Sequence, residues 1–198
     1  MSGERDLSLG AALIATARGA IDGAFGRPVA AVRPHPALDR PGATFVTLMR
    51  HGELRGCIGS LEARRPLVAD VHHNALAAAF GDPRFEPLAR HEIEATSVEV
   101  SLLSAAAVVE VADEDDLLAR LRPGVDGVVL ELGARRATFL PQVWDALPDA
   151  RDFLRALKRK AGMPSDFWSG EIRVSRYTNT KWREDEFGAA PASAEASR

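Results

Sequence analysis

Pairs of short strand-like runs joined by tight turns alternate with single helical stretches along this chain. Residues 44–49 and 54–60 flank one such turn at His51-Gly52, and residues 128–132 and 137–140 flank another. Strand pairs of this kind form antiparallel hairpins, whereas regular alternation of one strand with one helix builds a parallel sheet. The order of the patterns therefore predicts an α+β fold with a mostly antiparallel sheet flanked by helices.

Apolar spacing and end signals place the helices and the other strands. Four helices are predicted, at 7–22, 66–80, 114–121 and 151–161. Asp149 suits the N-cap of the last helix, and Gly162 suits the position just after its end. Residues 96–104 alternate apolar and polar side chains, which predicts a half-buried strand, and residues 171–182 are expected to form the final strand.

The composition is that of an ordinary globular protein. A chain of 198 residues is long enough for one domain, or for one domain with two lobes, that buries its own core. The net charge of -3 argues against a broad grip on nucleic acid, which usually requires a basic face. Cys57 is the one cysteine, so no disulfide can form within the chain and a reducing, cytoplasmic compartment is expected.

The two ends of the chain are expected to be disordered, at residues 1–6 and 188–198, with one domain between them at 7–187. The apolar segment that follows residue 6 is interpreted as a helix and not as a signal peptide, because acidic residues precede it and its apolar stripe continues past the apparent cleavage site. No run approaches the roughly 20 apolar residues of a membrane-spanning helix, so no membrane association is expected.

The first hairpin contains the candidate functional segment, Leu-Arg-Gly-Cys-Ile-Gly-Ser at 54–60. A two-residue turn at His51-Gly52 pairs Val46 with Cys57 and puts Arg55 on the same face of the sheet. The other face is then expected to be the core face, formed by Phe45, Met49, Leu54 and Ile58. We expect the mixed face with Cys57 to be partly open to solvent.

Cys57 could act as a nucleophile if a cation and a base lie beside it. Arg55 is two residues away on the same predicted strand, about 6.6 Å along the chain, where its charge would favour the thiolate. The first candidate for the base is His72, which falls inside the apolar stripe of the following helix, with His51 second and His35 third. These residues together define a possible catalytic set.

A structural interpretation of the same residues competes with the catalytic one, and we favour it. A lone cysteine most often packs or lines a site passively. Arg55 would then satisfy a carboxylate such as Asp82 or Glu99. Phe85, after the turn that ends the second helix, is expected to plug the core.

Five residues are candidates for binding a ligand. Gly56, Gly59 and Ser60 surround the cysteine, and a glycine lets a backbone or a ligand approach closely. Asp82 and Arg84 could position Arg55 or bind an anionic group through bidentate contacts. The glycines could equally mark a bulge or a twist of the strand.

Five longer segments stand in the order of one known family. They are FVTLMRHGELRGCIGSLE at 45–62, NALAAAFGDPRFEPL at 74–88, VEVSLL at 98–103, DGVVLELGARRATFLPQVW at 126–144 and KAGMPSDFW at 160–168. In these segments the chain resembles the AMMECR-one domain family, whose bacterial members are called AmmeMemoRadiSam system protein A. The resemblance covers residues 7–187 and implies a two-lobed α+β domain.

The resemblance implies partners and leaves the reaction open. The name of the bacterial system implies gene neighbourhood with a Memo-like protein and a radical SAM enzyme. The first hypothesis is therefore a binding component that acts with those two proteins and takes a small molecule or a peptide segment in a cleft at 54–60. The alternative is a thiol-dependent enzyme that uses Cys57 as nucleophile in transfer or hydrolysis. The sequence contains no zinc, iron–sulfur or phosphate-loop motif, so neither a metal nor a cofactor is expected.

Overall fold

The computed structural model describes residues 5–188, which form four α-helices, ten strands and three short 3-10 helices. The α-helices are α1 Leu7–Ala24, α2 Leu67–Phe80, α3 Glu114–Arg120 and α4 Ala150–Lys160. The strands are β1 Pro41–Gly42, β2 Thr44–Arg50, β3 Glu53–Gly59, β4 Arg65–Pro66, β5 Thr96–Leu103, β6 Ala107–Val108, β7 Gly127–Leu132, β8 Arg135–Phe139, β9 Arg173–Tyr177 and β10 Asn179–Arg183. The 3-10 helices are Arg90–Ala95, Pro141–Asp145 and Glu184–Phe187. The two chain ends that were predicted to be disordered lie mostly outside the described residues, which exclude 1–4 and 189–198. Asp6 belongs to the predicted disordered start, and in the structure it is the N-cap of α1.

Two compact units make up the chain, and each has a core of its own. Unit 1 contains the residues up to Leu103 and those from Thr180 onward, and unit 2 contains Ser104–Asn179. Strands β2 and β3, β2 and β5, β7 and β8, and β7 and β9 pair antiparallel. The prediction of a two-lobed α+β fold with mostly antiparallel sheets is confirmed.

The main sheet of unit 1 has the strand order β10-β5-β2-β3, and helices α1 and α2 share one core with it. Alternation along β5 decides which side chains face the helices, because Val98 and Val100 are fully buried while Ser97 is exposed. Trp182 of β10 is buried against Gly10 of α1, where a side chain would collide with the indole ring. Because β3 is an outer strand, the segment 54–60 runs along one edge of this sheet.

The predicted pairing of the first hairpin is wrong beyond its turn. Leu54 pairs with Met49 as a two-residue turn requires, but Gly56 pairs with Leu48, so Arg55 is an extra residue in the strand. This β-bulge shifts every later pair by one position and places Cys57 opposite Thr47.

The bulge also corrects the predicted core face. Val46 and Leu48 are fully buried against the helices, whereas Leu54, which was expected in the core, is 40% exposed. Of the four residues predicted for the core face, Ile58 alone packs against the core of unit 1. Cys57 therefore lies on the sheet face opposite to Val46.

The sheet of unit 2 has the strand order β6-β9-β7-β8 and shares a core with α3 and α4. Phe153 of α4 stacks on Trp144, with ring centroids 3.8 Å apart, and Leu130 and Val174 supply the sheet side of the core. Asp149 caps α4 as predicted, because its carboxylate accepts hydrogen bonds from two backbone N–H groups of the first turn. Within residues 5–188 no helix has the length and the apolar character that crossing a bilayer requires.

The prediction of one final strand at 171–182 is wrong. The chain forms β9 in the sheet of unit 2 and then β10 in the sheet of unit 1, with a break at Thr178. The backbone N–H of Ser104 donates to the Thr178 carbonyl at 2.8 Å, so the two ends of unit 2 meet.

Candidate functional site

Cys57 is half-buried on the outer strand β3, and its polar contacts come from two directions. Its backbone N–H points away from β2 and donates to an Asp82 carboxylate oxygen at 2.8 Å. Across the hairpin, the Thr47 hydroxyl lies 3.3 Å from the Cys57 sulfur and donates to it. The thiol therefore has a hydrogen-bond donor beside it, and the backbone of Cys57 is held in place by Asp82.

The Asp82 carboxylate fastens the turn after α2 to the edge of β3. Helix α2 ends at Phe80 with Gly81 as its C-cap, and the next residue, Asp82, is buried. Its two oxygens accept hydrogen bonds from Arg84 Nε at 3.0 Å and Arg84 Nη2 at 2.7 Å. These hydrogen bonds lower the pKa of Asp82 against the raising effect of its burial, so the group is a carboxylate.

Arg84 is the arginine whose charge lies near the thiol. Its Nη2 is 3.4 Å from the Cys57 carbonyl oxygen, and its side chain is 55% exposed. Sequence reasoning gave this role to Arg55, but the bulge turns that residue to a different partner. The Asp82 carboxylate sits between Arg84 and the Cys57 amide and offsets part of the positive charge.

Arg55 forms a bidentate pair with Glu92, and neither Asp82 nor Glu99 is its partner. Arg55 Nε and Nη2 lie 3.0 and 2.9 Å from the two Glu92 oxygens. Arg50 adds a third contact, 2.7 Å from Arg50 Nη1 to a Glu92 oxygen. The hydrogen bond from Arg55, with smaller contributions from neighbouring groups, lowers the pKa of the Glu92 carboxyl group to about 2.

The two arginines meet at Phe85. The guanidinium carbons of Arg55 and Arg84 lie 5.9 and 5.4 Å from the centroid of its ring. The prediction that Phe85 plugs the core is wrong, because the ring is half-buried at the surface of the site. Two guanidinium groups, each paired with a buried carboxylate, lie over one aromatic ring, and we call Arg55, Arg84 and Phe85 the arginine platform.

Gly56 and Gly59 lie in this segment because of contacts within the protein. A side chain at Gly56 would collide with the carbonyl oxygen of Ala78, where α2 crosses the strand. A side chain at Gly59 would collide with the ring of Phe45, its partner on β2. The close approach expected at both glycines therefore exists, and it is made by a helix backbone and by an aromatic ring.

Ser60 ends the segment in a buried polar network. Its hydroxyl donates to Asp70 at 2.7 Å, and the other Asp70 oxygen accepts from the Thr44 backbone N–H at 2.9 Å and the Thr44 hydroxyl at 2.8 Å. Asn74 donates to the same carboxylate from the next turn of α2 at 3.0 Å. This network ties the end of β3, the start of β2 and α2 together.

The histidines proposed as bases lie elsewhere. The prediction that His72 falls inside the apolar stripe of α2 is wrong, because its side chain is exposed while Val71 and Asn74 beside it are buried. His51 is exposed in the hairpin turn, and His35 contacts Asp6 at 3.2 Å. Among residues 5–188 no cluster of histidine, cysteine, aspartate and glutamate could hold a metal ion.

Sequence reasoning missed three parts of this site: Thr47, Glu92 and the surface position of Phe85. Thr47 could have been found only if the bulge had been known, since the register decides which residue faces Cys57. Glu92 lies 37 residues after Arg55 and carries no local signal. Phe85 was recognised as part of a turn, but its burial depends on tertiary contacts.

The fold and this site define an α+β protein whose outer strand carries a half-buried cysteine beside two anchored arginines. The AMMECR1 family model matches residues 14–182, and the chain belongs to that family. A protein of Methanothermobacter thermautotrophicus is 42% identical over 147 residues, which cover 71% of this chain and 74% of that protein. Protein LS215_2104 of Saccharolobus islandicus is 37% identical over 157 residues, 76% of this chain and 69% of its own length.

A solved structure shows the same fold. The crystal structure of uncharacterized protein PH0010 from Pyrococcus horikoshii superposes with a TM-score of 0.77 at 30% sequence identity. The match covers 91% of this chain and 93% of that one, so it includes both units.

Proposed function

We propose that this protein is a binding component whose site is the arginine platform beside Cys57, and that the bound group is anionic. The observation that carries the proposal is the anchoring of both cations. Glu92 and Asp82 hold Arg55 and Arg84 in bidentate pairs next to the same ring. Arginines held in this way lose little side-chain freedom when a ligand binds, which favours affinity.

Arg84 is the residue that offers a free hydrogen-bonding edge. Its Nε and Nη2 bind Asp82, while its Nη1 makes no hydrogen bond within residues 5–188. With a side chain that is 55% exposed, this edge can donate to a carboxylate or a phosphate. Phe85 supplies an apolar surface next to it, which suits a ligand or a peptide side chain with both an acidic and an apolar part.

The occupant we propose is an acidic segment of a partner protein, and the family resemblance supports a Memo-like protein or a radical SAM enzyme as that partner. The test is co-purification of the tagged protein with its Memo-like and radical SAM neighbours. Arg84→Gln should lose the partner at least tenfold, because the exposed donor and its charge disappear. Cys57→Ala should retain the partner.

The control for this experiment is Arg155→Gln, since Arg155 of α4 is exposed to a similar degree and pairs with a nearby aspartate. It should behave as wild type, and circular dichroism should show that each variant is folded. Arg55→Ala and Asp82→Ala are poor choices for this test because they leave the buried Glu92 carboxylate or the Cys57 backbone N–H without its partner. Gln at position 84 removes the charge but keeps an amide N–H group that can donate to the buried Asp82 carboxylate. Retention of the partner by Arg84→Gln would refute the proposal.

A thiol-dependent enzyme is the second candidate, and two contacts of Cys57 favour it. The Thr47 hydroxyl donates to the sulfur, and Arg84 brings a positive charge within reach. A hydrogen-bond donor and a nearby positive charge are features that reactive cysteines in general have. No histidine supplies a base among the hydrogen bonds of Cys57 in the described part of the chain, which is why binding is preferred.

Alkylation by iodoacetamide, followed by intact-mass spectrometry from pH 6 to pH 9, separates the two functions. A nucleophilic Cys57 should react rapidly at neutral pH and should slow by several-fold in Arg84→Gln. Slow labelling that is unchanged in the variant would exclude the enzyme and leave the binding function standing.

A further inference from the structure

A surface cavity of unit 1 lies between the segment that follows α1 and the first turn of α2. It has a volume of about 330 Å³ and is lined by Pro34, His35, Pro36, Leu38, Asp39 and Val68. Small-molecule sites in proteins have volumes in this range, and their walls are mostly apolar with a few polar groups. None of these residues belongs to the arginine platform, so the cavity is a separate site.

Hydrogen bonds to α2 hold one wall of the cavity, residues 34–40, in place. The Leu38 carbonyl accepts from the Val68 backbone N–H at 3.0 Å, and the Arg40 carbonyl accepts from the Leu67 backbone N–H at 2.8 Å. The two prolines of this wall have a fixed φ angle. The wall is therefore formed before a ligand arrives, which lowers the entropy cost of binding.

His35 contributes to the same wall, and its ring nitrogens are both engaged. The backbone N–H of Ala37 donates to Nδ1 at 3.2 Å, so the ring proton is on Nε2. Nε2 lies 3.2 Å from Asp6 Oδ2 and donates to the carboxylate that caps α1. The imidazole therefore shapes the cavity and has no hydrogen bond left to offer a ligand.

Asp39 is the lining residue whose charge is unpaired. It is exposed, and its carboxylate makes no hydrogen bond or ion pair within residues 5–188. Arg33 and Arg40 are its nearest cations in the sequence, and neither lines the cavity. Leu38 belongs to the core of unit 1 and Val68 packs against that core. The cavity consequently combines an apolar floor with one negative charge.

We propose that this cavity binds a small organic amine, whose ammonium group pairs with Asp39 and whose apolar part lies against Leu38 and Val68. The exposed ion pair contributes little alone, so charge and apolar contact must act together. For a ligand of about eight non-hydrogen atoms, binding in the millimolar range is expected.

Two other kinds of ligand fit the cavity less well. An anion would need the N–H groups at the start of α2, and those of Leu67 and Val68 are already bound to carbonyl groups. A peptide would need backbone groups to pair with, but the wall uses its own: the carbonyls of His35, Ala37, Leu38 and Arg40 all accept hydrogen bonds within the protein.

Benzylammonium is the probe, and its titration into the ¹⁵N-labelled full chain at pH 7 is followed by NMR. The amide signals of Leu38, Asp39 and Val68 should shift and saturate. Benzyl alcohol and phenylacetate, a neutral and an anionic compound of similar size, should bind roughly threefold or more weakly. Equal binding of either compound would overturn the proposal, because the Asp39 charge would not select the ligand. Absence of the three shifts would overturn it too.

Two variants separate the charge from the apolar floor. Asp39→Asn keeps the size of the side chain and should weaken benzylammonium binding roughly threefold or more. Val68→Phe fills the cavity with a ring and should prevent binding of every probe. Asp185→Asn is the matched control, since Asp185 is an exposed aspartate of the same unit, and it should bind as the wild type does.

Circular dichroism shows whether each variant keeps its fold. Benzylammonium binding that either Asp39→Asn or Val68→Phe leaves at the wild-type level would overturn the assignment of the cavity.

Discussion

A methyl group at position 56 has no room, because it would collide with the carbonyl oxygen of Ala78 in the backbone of α2. Neither the helix nor the strand can move without losing its own packing, so Gly56→Ala should destabilise the protein by about 1–3 kcal/mol. Urea unfolding followed by tryptophan fluorescence measures this loss. Gly170→Ala is the control, since a side chain there meets nothing within 4 Å. Equal stability of the two variants would show that β3 and α2 are packed less closely.

Glu92 should make the stability of unit 1 depend on pH. Its pKa is about 2 in the folded protein against an ordinary value of 4.5, so the charged form stabilises the fold above pH 4.5. That stabilisation should be lost as the pH falls from about 4.5 towards 2. Glu92→Gln should cost on the order of 2 kcal/mol at neutral pH.

The test is the difference in unfolding free energy between wild type and Glu92→Gln, measured in urea at several pH values. This difference should shrink as the pH falls from about 4.5 towards 2, because the wild-type carboxyl group becomes neutral too. Glu94→Gln is the control, since Glu94 is in the same 3-10 helix with a side chain that is 73% exposed. A difference that stays constant with pH would contradict the assigned role of Glu92.

Residue types in the segment 54–60 indicated a candidate site but did not assign its contacts. The sequence indicated that an arginine would lie near Cys57, and the structure places Arg84 there while Arg55 pairs with Glu92. The reason is that Arg55 occupies a bulge next to Gly56. The glycines indicated that a bulge was one possibility, but they did not show which residue would be the extra one. Charge pairs between residues far apart in the chain depend on tertiary packing, and tertiary packing cannot be read from a single sequence.

At the scale of elements, the buried carboxylate of Asp70 holds three of them together. Asp70→Ala would leave the backbone N–H and hydroxyl of Thr44 and the hydroxyl of Ser60 without their acceptor, while Asn74 keeps its hydrogen bond to the Thr44 carbonyl. Because unsatisfied buried donors each cost about 1–3 kcal/mol, the variant should lose about 3–5 kcal/mol. Ser60→Ala removes a single hydrogen bond and should lose about 1 kcal/mol. Thermal unfolding measures both, and equal losses would show that Ser60 alone matters.

The sequence predicted the ends of the helices more accurately than it predicted which strands pair with each other. The predicted helix 7–22 is Leu7–Ala24, and the predicted helix 151–161 is Ala150–Lys160, because caps and apolar spacing act locally. The predicted strand 171–182 is two strands in two sheets, since its apolar residues belong to different cores. Periodicity shows that a residue is buried but does not show which core it enters.

At the scale of the whole molecule, unit 2 is an insertion whose ends meet at Ser104 and Thr178. It has its own sheet and its own core, centred on Phe153 and Leu130. A fragment of residues 104–179 should therefore fold alone, with a cooperative thermal transition and dispersed amide resonances. A fragment of residues 5–103 should not reach the stability of unit 1, because it lacks β10. A featureless spectrum of the first fragment would contradict this prediction.

The position of unit 2 within the chain also sets the order in which the protein can be completed during synthesis. β5 and β10 are neighbours in one sheet, yet all of unit 2 leaves the ribosome between them. Until β10 has been synthesised, unit 1 lacks its fourth strand, and the space next to Gly10 that Trp182 fills in the folded protein is empty. Translation that stops after unit 2 and before residue 182 would yield a complete second unit attached to a first unit whose core lacks Trp182.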